Sequence, residues 1–417
     1  MGSSGGWLHG LTSTLAGIYG NPVGAEQQAM KDLFSNKSDD EVLKIVKSVN
    51  DLASNLGADV SSINTIVTGM QNNTLGNLAT GSGPALAAAD SGIVMADASG
   101  GSVRSSFGLQ QQHALKVLSQ GQLSGKALMA LDDALGGPRW EDAKQGIDVW
   151  AQMLGAHEAQ NTIKEYAGYR SNSYGITLGA DTQLRTGLKV GLAFTVADGT
   201  SIKSRDALSK TYLKTHLINF YGSYSPHKTW FVDTSVGGGI AKFRGNRLQA
   251  TDLYKNQHHG KVFNGMLSSG YNIKIGPGFF LTPYGLAQGS ITLTRPYTET
   301  GGSLPVSPNG TRITSLRLGG GLKMAMAHAL SNEWALIPQG SLSYMRELNP
   351  NARTLRATWA NAAIPLRTSS TGAHIVDLGL GMTIKAHMGF KVSANYNATI
   401  KKAYLGHAGT LKVAYQF

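Results

Sequence analysis

Cysteine is absent from the 417 residues, and no run of eighteen apolar residues occurs anywhere. The first absence rules out a disulfide-stapled scaffold and suits a chain that crosses an oxidising compartment unfolded. The second rules out a transmembrane helix. Neither excludes a transmembrane β-barrel, in which only every second side chain meets lipid and backbone groups are satisfied between strands. A charged-then-apolar leader is also missing although a barrel must be exported, so the Met1-Gly-Ser-Ser start reads as a fragment boundary.

What is present is alternation on two scales. Glycine is abundant at 53 residues, and from Gly146 onward the chain divides into about twelve strand-like segments. Their connections alternate between short (Arg185-Thr-Gly187, 225–228, Gly276-Pro-Gly278, 331–333, 387–389) and long polar stretches (156–172, 198–214, 244–260, 295–312, 347–373), with a shorter sixth at 401–408. Successive turns therefore lie on opposite sides of something that treats its two sides differently. Within segments the period is two: Tyr174, Ile176, Leu178, Ala180 and Leu184 oppose Gly175, Thr177, Gly179, Asp181 and Gln183. The same holds for Leu188–Val196, Val376–Ile384 and Phe390–Ile400, while doublets such as Ile218-Asn219-Phe220 and Phe279-Phe280 blur the pattern elsewhere.

A water-soluble sandwich also alternates, but its exposed face would be rich in charge. Here the wet faces hold Gly, Ser, Thr and Asn with isolated charges, and the apolar faces begin or end in Tyr174, Tyr224, Trp230, Phe279, Trp334, Phe390, Tyr415 and Phe417. Such aromatics suit an interfacial girdle. The fold class is therefore an all-β transmembrane barrel of about twelve antiparallel strands, with an N-terminal helical segment threading its lumen.

Charge divides the chain. Residues 1–145 carry nine Lys/Arg against thirteen Asp/Glu, and 146–417 carry 28 against twelve. The cations are dispersed without a basic-aromatic cluster, which argues against nucleic-acid binding. Ser38 and Glu41 have capping-box spacing, and Val42, Ile45, Val49, Leu52 and Leu56 follow at helical intervals before Gly57, predicting an amphipathic helix of about five turns. A second helix is expected over 110–135, ended by Gly136-Gly-Pro138. The expected domains are 1–77, a helical remnant of an upstream segment; 78–109, a Gly/Ala/Ser-rich linker; 110–145, a pore-threading helix and linker; and 146–417, the barrel.

The last strand, Gly409-Thr-Leu-Lys-Val-Ala-Tyr-Gln-Phe417, joined to Trp150-Ala-Gln-Met-Leu-Gly155 and Tyr174-Gly-Ile-Thr-Leu-Gly-Ala-Asp181, resembles the translocator domain of monomeric autotransporters (type V secretion). The resemblance covers about 146–417. It implies an outer-membrane export role: a monomeric barrel through which an N-terminal passenger reaches the cell surface, folded by the barrel-assembly machinery and periplasmic chaperones, with Gly409, Leu411, Val413, Tyr415 and Phe417 as the assembly signal. No cofactor or metal is implied. The lumenal polar candidates are Asp148, Asp181, Lys189, Asp377, Lys385 and Lys391, and the basic rim suits contact with outer-membrane lipid and lipopolysaccharide phosphates.

Other readings are a surface adhesin or porin-like barrel without export activity, and a self-cleaving or hydrolytic barrel enzyme. Some family members cyclise a lumenal asparagine, which makes Asn72 and Asn73 the self-cleavage candidates, although they lie far upstream of the first strand. Asp198, Ser201, Asp206 and His216 supply hydrolase-like residue types, and His258-His259 with Asp252 lacks metal-ligand spacing on a defined element. Gly237-Gly-Gly239 and Gly319-Gly-Gly321 precede no helix and so are not phosphate loops; they are expected where strands crowd.

Overall fold

The computed structural model describes residues 14–18, 20–35, 37–79 and 147–416, apart from 165, 186, 228, 250, 277, 331–333, 350–353 and 387–389, and of 72–79 the backbone alone. The expected helix at 110–135, most of the linker at 78–109 and Phe417 lie outside the described residues.

Among the described residues, a helical stretch at 14–18 and the helices α1 (Gly24–Ser35) and α2 (Asp39–Ala79) precede twelve long strands. These are β1 (Ile147–Gln160), β2 (Tyr169–Arg185), β3 (Leu188–Ser204), β4 (Ser209–His227), β5 (Trp230–Gln249), β6 (Asp252–Tyr271), β7 (Phe279–Thr294), β8 (Thr311–Met326), β9 (Trp334–Glu347), β10 (His374–Ala386), β11 (Phe390–Lys401) and β12 (Tyr404–Gln416). Each pairs antiparallel with its neighbours, and β12 returns to β1 from Asp148↔Gln416 to Gln160↔Tyr404. The sheet is thereby a closed barrel with no free edge.

Alternation places the two faces as the residue pattern requires. Tyr174, Ile176, Leu178, Leu192, Phe194, Leu378, Leu380 and Tyr396 are exposed on the outer wall, whereas Thr177, Asp181, Thr195, Thr383 and Ser393 are buried on the inner one. Aromatics mark one rim of the apolar band: Trp230 lies opposite Tyr271, and Phe390 opposite Tyr415. No described helix is long and apolar enough to cross a membrane.

Two expectations change. The stretches 198–214, 244–260 and 401–408 are mainly strand rather than loop: β5 and β6 stay in register from Trp230↔Tyr271 to Gln249↔Asp252, and β11 meets β12 as far as Lys401↔Tyr404. Above the apolar band the outer face is polar too, so hydropathy stops alternating while the backbone ladder continues. The longer connections carry a separate three-stranded sheet of Val306–Pro308, Thr354–Trp359 and Ala362–Arg367. Its hairpin turns at Ala360 and Asn361, both at positive φ (46° and 59°), as a two-residue type I′ turn demands.

The second change concerns α2. Its start is the expected capping box, with Glu41 accepting from the Ser38 amide at 3.0 Å and the Glu41 amide donating to Ser38 Oγ at 3.4 Å. It does not stop at Gly57. A helical glycine costs about 1 kcal/mol, and that is outweighed because Ile63, Ile66 and Val67, one face further on, are almost fully buried against the inner barrel wall. The helix found within the lumen is therefore α2, upstream of the segment expected there.

Candidate functional site

The lumen is built from α2 and the inward-facing residues of the strands. Ile63, Ile66 and Val67 pack on Leu154, Ala197, Leu213, Leu217, Ala241, Phe243 and Val262, contributed by β1 and β3–β6. Polar contacts flank this stripe: Ser62 Oγ lies 2.8 Å from Ser171 Oγ, Gln71 Nε2 donates to Asn264 at 2.8 Å, and Ser290 Oγ donates to Asn64 at 2.7 Å. At Gly69 the helix approaches so closely that a Cβ would sit 2.9 Å from Leu154 Cδ1. Beyond Lys47 the helix carries only Asp51 and Asp59 as charged residues, which suits a lumen rich in cations.

These contacts fix the direction of α2. Ser62 is level with Glu158 (3.4 Å), and Gly69 with Leu154. Seven helical residues rise about 10.5 Å. Four strand residues tilted by about 40° span about 10 Å of barrel axis. The agreement means that α2 runs from the long-connection end towards the short-turn end. Its first half, with α1, forms a cap at the long-connection end: Met30, Ile45, Val46, Val49, Leu52 and Ala53 share a core with Leu304, Val306, Ala357, Trp359 and Leu366. Trp359 donates Nε1–H to the Leu304 carbonyl at 3.2 Å and meets Phe34 edge-on at 6.1 Å.

A buried ion pair joins cap to barrel. Arg247 Nε and Nη2 donate to Glu299 at 3.1 and 2.5 Å, Nη1 reaches Ser48 of α2 at 3.2 Å, and the guanidinium lies 4.7 Å from the Tyr254 ring centroid. Asp51, one helical turn from Ser48, sits above the lipid-facing band. Burial, and then the neighbouring Asp206 carboxylate, push its carboxyl up to about 9. Because the folded value lies above the ordinary one near 3.8, cap stability is full below about pH 4 and declines as pH rises towards 9. Proteolysis of the cap should therefore accelerate from pH 5 to 9, and Asp51→Asn should flatten that slope; an unchanged slope would assign it elsewhere.

Of the candidate lumenal residues, Asp148, Asp181 and Lys189 come together: Lys189 Nζ pairs with Asp148 and lies 2.6 Å from Asp181. Asp181 also accepts from Trp150 Nε1 (3.1 Å) and Tyr221 OH (2.8 Å), and Lys412 lies 4.2 Å over the Trp150 ring. Gly179 and Gly191 leave the room that the Trp150 and Tyr221 rings occupy. Asp377 accepts from Thr399, its cross-strand partner on β11, and Lys385 and Lys391 lie opposite one another across β10 and β11. Beside α2 on the β8–β11 side, a polar cavity of about 140 Å³ is lined by Asn64, Arg317, Glu347 and Lys401, with Arg317 and Glu347 at 3.3 Å.

Leu411, Val413 and Tyr415 project outward from β12 on the same face as Gly409. Asn72 and Asn73 fall in the last turns of α2, and their side chains are outside the described residues. The hydrolase-like set is not assembled: Asp198 pairs with His216 (3.3 Å) and Lys214 on the outer wall, while Asp206 bonds Ser204 in the β3–β4 turn. His258 is stacked between Phe243 and Tyr297, and His259 faces outward. Residue alternation could not single out Arg247, Glu299 and Ser48, because their partners come from three distant parts of the chain.

Residues 149–397 match the family model described as autotransporter beta-domain. This chain belongs to the autotransporter β-domain family. Its barrel is similar to the translocator domain of the autotransporter NalP from Neisseria meningitidis, with a TM-score of 0.54 and 16% identity over 74% of this chain and 98% of that one. Curated relatives include outer membrane protein A of Rickettsia conorii, 25% identical over 66% of this chain and 14% of the relative. Outer membrane protein B of Rickettsia prowazekii is 22% identical over 73% and 19%. The chain thus spans less than a fifth of the length of these relatives. It is an outer-membrane β-barrel translocator domain, and the family match covers the closed sheet.

Proposed function

We propose that this barrel delivers an N-terminal passenger to the cell surface and then retains α2 as the stalk that joins passenger to barrel. The direction of α2 carries the reading: the chain before it is on the long-connection side, and the barrel strands that follow it begin on the short-turn side. A passenger attached ahead of Gly24 is therefore displayed outside once the short turns face the periplasm. Leu411, Val413 and Tyr415, alternating outward on the closing strand, supply the motif by which the barrel-assembly machinery would engage the chain after periplasmic chaperones hand it over. In this reading the barrel performs no covalent chemistry, acts as a monomer and needs no cofactor.

The absence of cysteine makes a clean test available. Ser62→Cys with Ser171→Cys replaces two hydroxyl oxygens 2.8 Å apart, close enough for a disulfide after small side-chain adjustment. Oxidation of whole cells should cross-link stalk to barrel and leave the passenger displayed. No cross-link in a correctly folded barrel would mean that α2 does not lie in the lumen.

A further inference from the structure

On the outer wall at the long-connection end, like charges face each other across β2–β6. Arg170 lies opposite Lys203, and Lys203 in turn opposite Lys210. Two outward positions nearer the apolar band, past Tyr212, Lys214 lies opposite Lys242, whose other neighbour is His259. Directly opposed like charges destabilise a sheet, so an anion is called for. Among the described residues, Asp198 is the one carboxylate that faces outward on these strands, and it is engaged with Lys214 at 3.1 Å.

The position identifies the anion. Lys214 follows the outward Ile218 by two outward steps, Lys242 is the next outward residue after Ile240, and Lys261 the next beyond Phe263. The cations therefore begin where the lipid-facing band ends, at headgroup depth. The opposed rows are also confined to these strands: at the same end β8 and β9 present only the single cations Arg312, opposite Leu293, and Arg346, opposite His374, and β10, β12 and β1 present His374, His407 and His157, of which the first two share hydrogen bonds with Tyr344 and Tyr396. A general attraction to any anionic surface would not need charge concentrated on one side.

We propose that the outer wall of β2–β6 binds the phosphates of a glycolipid of the outer leaflet, with its acyl chains along Ile218, Ile240 and Phe263 and its phosphates bridging the Arg170–Lys203–Lys210 and Lys214–Lys242 rows. The inference rests on the long-connection end facing outward. Such a lipid removes the cross-strand repulsion and fixes the rotation of the barrel relative to its surroundings.

The test uses the full chain in phosphatidylcholine nanodiscs doped with diphosphoryl lipid A, dephosphorylated lipid A or phosphatidylglycerol, with retained lipid counted by native mass spectrometry. Diphosphoryl lipid A should be retained in preference to both others, with retention falling as salt rises. Lys203→Gln with Lys242→Gln should weaken it about 30-fold, at about 1 kcal/mol per cation near the surface. His157→Gln with His407→Gln should leave it unchanged. Equal retention of phosphatidylglycerol, or equal loss in both double variants, overturns the site. Should the lysine pair fail to fold, Lys242→Gln alone and the salt titration of the unaltered chain decide the matter. Loss of the Ser62–Ser171 cross-link with lipid A retention intact would sink the stalk and spare this site.

Discussion

Ile63→Asp with Ile66→Asp should open the pore. Both side chains are wholly buried between α2 and the barrel wall. Removing a buried isoleucine costs about 2–5 kcal/mol, and each new carboxylate would lie against Leu217, Phe243 and Val262, where an unpaired charge adds to the cost. About 5.5 kcal/mol is enough to take a two-state equilibrium from 99:1 to 1:99, so the substituted helix should spend most of its time out of its seat. Single-barrel conductance in planar bilayers should rise at least several-fold, while heat-modified mobility on gels shows the twelve strands still closed. Conductance at the original level in a closed barrel would mean that α2 is not the plug.

Arg247→Met should have the second large effect. It leaves Glu299 buried with no cation to meet it, and breaking such a pair typically costs about 3–5 kcal/mol. The cap should then loosen, since Arg247 also holds Ser48 of α2, and limited proteolysis between α1 and α2 should become much faster. Adding Glu299→Met should recover most of the loss, because replacing both members of a buried ion pair by apolar groups is often neutral. If the double variant is as labile as the single one, the pair is not the joint between cap and barrel.

Much of the barrel was legible in the residues because lipid on one side and a polar lumen on the other force a period of two. The four regular segments, among them Tyr174–Leu184 and Phe390–Ile400, face as their alternation implies. The irregular ones carried different information. In β4 and β5 the lumenal positions beneath α2, Leu213, Leu217, Ala241 and Phe243, are apolar because the helix lies on them, so over that stretch both faces carry apolar residues, while Thr215, Asn219, Asp233 and Ser235 keep the rest of the inner face polar. What obscured the pattern was the footprint of the helix. The lumenal stretch of α2 is hard to see in the residues, because Gly57 reads as a stop and because the apolar stripe of Ile63, Ile66 and Val67 is diluted by Ser, Asn and Thr. The cap was not legible, since Trp359 and Val46 reveal their partnership only when long connections fold back over the pore.

The position of α2 against β1–β5 and β12 has one more consequence. β1 and β12 are the first and last staves of the sheet, more than 240 residues apart along the chain at Asp148 and Gln416, and their joint is the one that turns a curved ribbon into a ring. A rod that lies along both sides of that joint favours the ring over the ribbon. Threading thus stabilises ring closure, and a barrel that closes on an empty lumen forgoes part of the adhesion that holds its seam.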